Sequence, residues 1–197
     1  GLFLMYPLFS LLLTAFQDAA TGSFSLENFS RFFARRYYYQ SLLNSFAVTV
    51  CVTLLAVVIG TALAYCMSLY RIRCKRLVEI GIIISLLSPP FIGAYSWILI
   101  GGRSGILTRF LQETFHYDFP SIYGFGGILL VLTLKLYPFI YLYVTGALKK
   151  IDAALIEAAE SLGCSGLRKV VTVFLPLITP TILAGALLVF MNAMADF

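Results

Sequence analysis

Residues 37–70, YYYQSLLNSFAVTVCVTLLAVVIGTALAYCMSLY, carry no charged side chain over a length that decides the class of fold. An α-helix rises about 1.5 Å per residue, so roughly 20 apolar residues cross a hydrocarbon core of about 30 Å. Four further stretches, 1–17, 80–102, 119–148 and 170–195, are also free of charge apart from Lys135. The sequence therefore predicts an all-α membrane protein, a bundle of about five transmembrane helices.

The composition favours the same class of protein. Of the 197 residues, 60% are hydrophobic and only 12% are charged, which leaves too few charges to cover the surface of a soluble domain. Disordered, collagen-like and disulfide-rich secreted proteins are excluded. The stretch 1–17 is short for a span, and a signal peptide is the alternative, but it lacks a basic start and a small-residue cleavage pattern.

The distribution of basic residues predicts the orientation. Loops 71–79 and 149–169, on one side of a five-span arrangement, are richer in Lys and Arg than loops 18–36 and 103–118 on the other. The richer side is expected to be cytoplasmic, with residue 1 inside. The net charge of +5 then reflects membrane topology and requires no nucleic-acid partner. Segment 17–40, with Tyr37, Tyr38 and Tyr39, is predicted to be an external loop that descends into the interface.

The third and fourth predicted spans contain residues that are unusual at membrane depth. Pro89 and Pro90 remove two adjacent backbone donors, so the third span is predicted to kink or break there. Together with Tyr95 they are candidates for a solute pathway, and a tilted helix that ends in an aromatic belt is the alternative. Lys135, close to the centre of the fourth span, requires a partner. It is either a pathway residue or a structural ammonium near the carbonyl freed by Pro138.

Asp196, near the outer end of the fifth span, is the other acid in apolar surroundings. Direct pairing with Lys135 would require the two helices to be offset or kinked. The second span contains Gly60 and Ala64 four residues apart, a spacing that allows a neighbouring helix to approach closely.

No metal site, cofactor site or catalytic group is expected in this chain. Its four cysteines are not at metal-ligand spacing and are interpreted as free thiols, and His116 is the only histidine. A glycine-rich loop that could cradle phosphates is missing from the sequence. The chain is therefore not expected to hydrolyse ATP.

Residues 149–169 are predicted to contain a short amphipathic helix on the cytoplasmic side. At 100° per residue one stripe contains Leu155, Ala158, Ala159 and Leu162, and the opposite side contains Glu157, Glu160 and Ser161. Asp152 is the predicted N-cap and Gly163 the predicted stop, and Pro176 and Pro180 predict a kinked start of the fifth span. The helix could lie flat on the membrane, but its narrow, half-alanine stripe better suits docking against protein.

This loop resembles the EAA signature of binding-protein-dependent ABC importer permeases, which have a MetI-like transmembrane domain. The matching positions are Glu157, Ala158, Ala159, Gly163, Leu175 and Pro176, with Val173 where isoleucine is usual. In that family the loop forms a coupling helix, which sits in a groove of the ATP-hydrolysing subunit. The resemblance implies that these six residues couple the chain to an ATPase, within a coupling loop of residues 149–172.

Other segments resemble the ferric-iron importer permeases in particular. They are Asn44-Ser45, residues 88–97 (SPPFIGAYSW), residues 102–107 (GRSGIL) and residues 194–197 (MADF). The resemblance implies ferric iron as the solute, and phosphonate, polyamine, thiamine or sulfate permeases share parts of these patterns. It also implies a multi-pass protein of the bacterial inner membrane.

The partners implied by the resemblance are a dimer of ABC ATPase subunits, an external solute-binding protein, a second permease half or subunit, and membrane lipid. ATP and Mg²⁺ would be bound by the ATPase. Residues 1–40 are interpreted as a first helix and external loop, and residues 41–197 as a transmembrane domain incomplete at its C-terminus. The chain is thus expected to be a first half or a fragment.

Three other classes of protein are alternatives. An ion-coupled secondary transporter would use Lys135 and Asp196 as coupling groups near broken helices. An intramembrane enzyme would need a catalytic constellation that is missing from the sequence. A purely structural membrane subunit would have no translocation path.

Overall fold

The computed structural model describes residues 2–18, 22–70, 72–87, 90–115, 122–164 and 166–196. Its elements are α1 (Leu2–Ala15), α2 (Glu27–Ala34), α3 (Arg36–Leu69), α4 (Lys75–Leu87), α5 (Pro90–Gly101), α6 (Ile106–Phe115), α7 (Phe125–Leu148), α8 (Ala153–Ser161), α9 (Gly166–Lys169), a π-helix (Val170–Phe174) and α10 (Leu175–Ala195). Within these ranges the only strand-like pairing is an isolated bridge between Gln17 and Phe24. The all-α prediction is confirmed.

Three helices in the described ranges are long and apolar enough to cross a membrane. They cover Arg36–Ser68, Phe125–Leu148 and Val170–Ala195. The other two predicted spans appear as shorter helices, since α1 has 14 residues and the stretch 80–102 is occupied by the end of α4 and all of α5. The break predicted at Pro89 lies outside the described residues, and Pro90 is the first residue of α5.

Contacts divide the chain into two compact units, Gly1–Ala47 and Val48–Phe197, with the boundary inside α3. In the first unit, segment 17–40 was predicted to be a loop, and it instead contains α2 and the start of α3. Glu27 Oε1 and Arg31 Nη2, one helical turn apart, form an ion pair of 2.6 Å along α2. The ring of Phe16 lies 5.1 Å from that of Phe29, so apolar contacts as well as charge support a helix here.

Helix α7 is the central helix of the second unit and contacts α4, α5 and α10. The core has members from four helices. They are Val52, Ala56, Ala64 and Met67 of α3; Ile82 of α4; Leu136, Ile140, Tyr141 and Val144 of α7; and Ile178, Val189 and Ala193 of α10. Many large apolar side chains of the same helices point away from this core, as expected of surfaces that face lipid.

Two glycines allow α3 and α10 to approach α7 on either side of Ile140. A Cβ on Gly60 would lie 2.7 Å from Cβ of Ile140 and 2.8 Å from the carbonyl oxygen of Tyr137. A Cβ on Gly185 would lie 3.0 Å from Cδ1 of Ile140. The predicted close approach at Gly60 and the fully buried Ala64 is confirmed.

The last span begins irregularly, as its prolines predict. The N–H of Leu175 donates to the carbonyl of Val170, five residues back, which is the pattern of a π-helix. Pro176 has no N–H to donate to Thr172, so a regular α-helical ladder cannot run through this point. Helix α10 continues through Pro180, which likewise has no N–H to donate to the carbonyl of Pro176, and runs to Ala195.

Candidate functional site: an exposed loop helix and a charged membrane cavity

Helix α8 begins at a side-chain cap. Oδ1 of Asp152 accepts a hydrogen bond of 3.0 Å from the N–H of Ala154, and its carbonyl accepts one of 3.2 Å from Leu155. Such a cap satisfies a backbone donor that has no partner inside the helix. The predicted N-cap is confirmed.

The same helix ends at a left-handed glycine. Gly163 has φ +79°, and the N–H of Cys164 donates to the carbonyl of Ala159 at 2.9 Å. This six-to-one bond around a left-handed residue is the Schellman arrangement. Gly163 therefore stops the helix and turns the chain, as the sequence predicts.

The apolar stripe of α8 is open to its surroundings. Leu155 and Leu162 are 51% and 85% exposed, and Ala158 is exposed between them. Ala159 is the exception, since it is only 9% exposed. Glu157 is also exposed, on the side of the helix opposite this stripe. The helix thus presents small and apolar side chains on one side and a carboxylate on the other.

Leu175 and Pro176, the last two positions of the signature, lie where the π-helix gives way to α10. Both residues are exposed. The six predicted coupling residues therefore belong to two places, α8 with its C-terminal turn, and the first residues of the last span.

Lys135 and Asp196 form an ion pair, in which Nζ of Lys135 donates to Oδ2 of Asp196. Residue 135 lies ten residues after Phe125, about 15 Å from the start of α7, and Asp196 immediately follows the last residue of α10. The C-terminal part of α10 therefore lies beside the middle of α7. The two helices are thus offset, as direct pairing of Lys135 with Asp196 was expected to require.

A cavity of about 490 Å³ lies next to this pair. Among the described residues it is lined by Trp97, Ile98, Ile122, Tyr123, Gly124, Gly127, Ile128, Val131, Leu132 and Asp196. Its wall is thus largely apolar and aromatic. Asp196 is the only acidic residue among these, and Lys135 is not one of them.

Only some of the predicted pathway residues line the cavity. Tyr95 is 61% exposed on α5 and is not one of the described lining residues, whereas Trp97, two residues later, is. Trp97 ends the segment 88–97 quoted above and was not among the predicted pathway residues, although it is the only tryptophan of the chain. Beside another lining residue, the guanidinium carbon of Arg103 lies 6.0 Å from the centroid of the Tyr123 ring, a cation–π contact.

Comparison with known proteins agrees with this architecture. The sequence profile of the family described as "Binding-protein-dependent transport system inner membrane component" matches residues 56–197. The chain is 29% identical over 196 residues to the ferric transport system permease protein FbpB of Actinobacillus pleuropneumoniae, covering 99% of this chain and 28% of that protein. It is 28% identical over 203 residues to the spermidine/putrescine transport system permease protein PotB of Escherichia coli, covering 100% of this chain and 74% of that protein.

A solved structure shares the fold. The crystal structure of a bacterial ABC transporter involved in the import of the acidic polysaccharide alginate contains a chain that aligns with a TM-score of 0.79 at 18% identity. The alignment covers 98% of this chain and 68% of that chain. The present chain spans less than a third of the length of FbpB. From the profile match over residues 56–197 and the membrane-spanning helices, this chain belongs to the binding-protein-dependent transport system inner membrane components, a family of multi-pass ABC transport permeases rather than enzymes.

Proposed function

We propose that this chain is the permease part of an ATP-driven solute importer and that α8 couples it to a separate ATPase. The observation that carries the proposal is the exposure of Leu155, Ala158 and Leu162 along one side of α8 and its C-terminal turn, together with the exposed Glu157 on the other side. Exposed leucines on a helix capped at both ends are expected to be covered by a partner. The small Ala158 allows close approach, and Glu157 offers a charge to a basic residue of that partner.

A partner protein fits this helix better than a lipid surface does. Interfacial helices typically carry Lys or Arg on the polar side, which attract anionic lipid headgroups. Helix α8, with the sequence AALIEAAES, has no basic residue and has two glutamates. A membrane surface would repel these carboxylates, whereas a basic groove in a protein would attract them.

In this proposal the membrane helices supply the translocation path and the energy comes from outside the chain. ATP and Mg²⁺ are bound by a dimer of ABC ATPase subunits, and an external binding protein delivers the solute. A second permease half or subunit completes the path. The family description and the exposed α8 support this assignment of roles.

Co-purification with the ATPase tests the coupling surface. The full-length permease and its candidate ATPase are co-expressed, and Ala158→Trp and Glu157→Lys are each expected to abolish the complex. Arg73→Trp, exposed in the other predicted cytoplasmic loop, is the matched control and should leave the complex intact. The amount of permease in the membrane is measured in every case. If both α8 variants still co-purify with the ATPase, the coupling assignment is wrong.

Ferric iron is the first candidate for the solute. Similarity to FbpB supports it, as do the segments of sequence that resemble ferric-iron permeases. Uptake of radioactive iron by proteoliposomes with the ATPase and the binding protein is the direct test. Uptake must require ATP. Uptake that instead follows an ion gradient and is abolished by an ionophore would favour the secondary transporter.

Polyamines are the second candidate. Similarity to PotB supports them, and so does a specific observation, the carboxylate of Asp196 on the wall of an aromatic cavity. The same proteoliposomes, supplied with radioactive spermidine, distinguish this solute from iron. Phosphonate, thiamine and sulfate serve as competitors in the assay.

A further inference from the structure

We propose that Asp196 is an amine-binding position in the membrane cavity, with Lys135 as a resident counter-ion that a protonated amine displaces. The inference rests on the second solute candidate of the proposed function, the polyamines, and names the chemical class that occupies this site, an alkylammonium cation. It starts from the geometry of the ion pair at the cavity wall.

The cavity presents the negative member of the pair. Asp196 lines it, whereas Lys135 is not one of the described lining residues, although the two side chains are bonded to each other. Their exposed fractions are 27% and 30%, so the pair is reachable rather than sealed in the core. A solute in the cavity therefore meets a carboxylate first, and a cation is the ligand that a carboxylate attracts.

The walls suit an ammonium group better than a bare metal ion. A hard metal cation takes about six or more oxygen ligands, and the described residues include no group of three or more His, Cys, Asp or Glu that could hold one. Trp97 and Tyr123 line the cavity, and aromatic rings of this kind attract ammonium ions. The Arg103 guanidinium beside Tyr123 is an example within the chain itself.

Exchange of one ammonium for another keeps the carboxylate paired, and the displaced ammonium of Lys135 then depends on neutral acceptors. The incoming amine takes the place of Lys135 Nζ at Asp196, so the carboxylate remains paired throughout. The displaced lysine has an acceptor close by in the chain. Pro138 has no N–H to donate to the carbonyl of Leu134, the residue next to Lys135, which leaves that oxygen free of its usual helical donor.

The single tryptophan on the cavity wall provides the measurement. The full-length permease is labelled with 5-fluorotryptophan in lipid nanodiscs, and the ¹⁹F resonance of Trp97 is assigned by its loss in Trp97→Phe. Spermidine is the probe, and hexane-1,6-diol is its uncharged control. A saturable shift with spermidine and none with the diol is expected.

Three variants then assign the charges. Asp196→Asn is expected to abolish the shift, and Asp196→Glu, which keeps the carboxylate, should restore it. Lys135→Met removes the competing ammonium, and spermidine should bind about tenfold more tightly, which corresponds to about 1.4 kcal/mol. Circular dichroism and gel filtration of each variant establish that it is folded.

The proposal is overturned by any of three results: the wild type shows no shift, the shift persists in Asp196→Asn, or Lys135→Met binds spermidine no more tightly than the wild type. This titration needs no ATPase, so its failure leaves the coupling assignment untouched. Conversely, if the α8 variants still co-purify with the ATPase, the coupling assignment is wrong, but spermidine should still bind at Asp196.

Discussion

Nζ of Lys135, in the middle of α7, is bonded to Oδ2 of Asp196, the residue that follows the end of α10. The two residues are 61 positions apart in the chain, and only the offset of these antiparallel helices brings them together. The pair neutralises both charges at a depth where an isolated charge costs about 2.5 to 3.5 kcal/mol. It also places a carboxylate on the wall of the cavity.

Lys135 and Asp196 are expected to stabilise the fold through their interaction with each other. Lys135→Met and Asp196→Asn should each lower the free energy of unfolding by about 1–3 kcal/mol, because each leaves a partly buried group unpaired. The double variant should lose less than the sum of the two. Unfolding in mixed detergent micelles measures all three. Additive losses would mean that the two side chains do not interact.

A surface pair serves as the control for this cycle. Glu27 and Arg31 are bonded at 2.6 Å, but their side chains are 52% and 72% exposed. Glu27→Gln with Arg31→Gln should leave the free energy of unfolding nearly unchanged, because water screens exposed pairs.

Gly60 is expected to be essential for the contact between α3 and α7. Gly60→Ala places a methyl group 2.8 Å from the carbonyl oxygen of Tyr137 and should destabilise the fold by about 1–3 kcal/mol. Gly81→Ala in α4 is the matched control, since no atom lies within 4 Å of its Cβ position. That change should be neutral or stabilising, because alanine favours helix. Thermal unfolding followed by circular dichroism compares them, and equal effects would refute the close approach.

The cap at Asp152 should set the stability of the start of α8. Asp152→Ala removes the acceptor for the N–H of Ala154 and is expected to cost about 1 kcal/mol of local stability. Asp152→Asn keeps an acceptor oxygen and should restore most of it. Hydrogen exchange at residues 154–158 measures the loss. Unchanged exchange in Asp152→Ala would show that the cap is dispensable.

The turn at Gly163 should depend on its backbone conformation rather than on space. Its φ is +79°, and no atom lies within 4 Å of its Cβ position. Asparagine tolerates this conformation, so Gly163→Asn should preserve the turn, whereas Gly163→Val should cost about 1–2 kcal/mol. Gly163→Pro cannot adopt the conformation at all and should detach the ATPase.

Hydrogen exchange of α8 and co-purification with the ATPase compare the three variants. An intact complex with Gly163→Pro would mean that this turn has no part in coupling. Loss of the complex in Gly163→Asn, with normal exchange in α8, would instead point to contact between residue 163 and the partner.

Local sequence was sufficient for the features that depend on neighbouring residues. Long runs without charge predicted the helices now seen as α3, α7 and α10, because their apolar length must match the bilayer. Asp152 and Gly163 marked the ends of α8, because capping and left-handed turns involve atoms only a few residues apart. Helix α2 was missed, because its support comes from aromatic packing against residues about a dozen positions away, such as Phe16 with Phe29.

Tertiary structure alone decided the features that depend on how helices pack. The sequence showed that Lys135 needed a partner, but the choice of Asp196 depends on how α10 packs along α7. Trp97 lines the cavity and Tyr95 does not, because the packing of α5 against α7 determines which side chains of α5 face the cavity. The close approach of α10 to α7 at Gly185 also depends on tertiary structure, because it is defined by the contact with Ile140. Distances across helices depend on offset and rotation, and hydrophobic periodicity specifies neither.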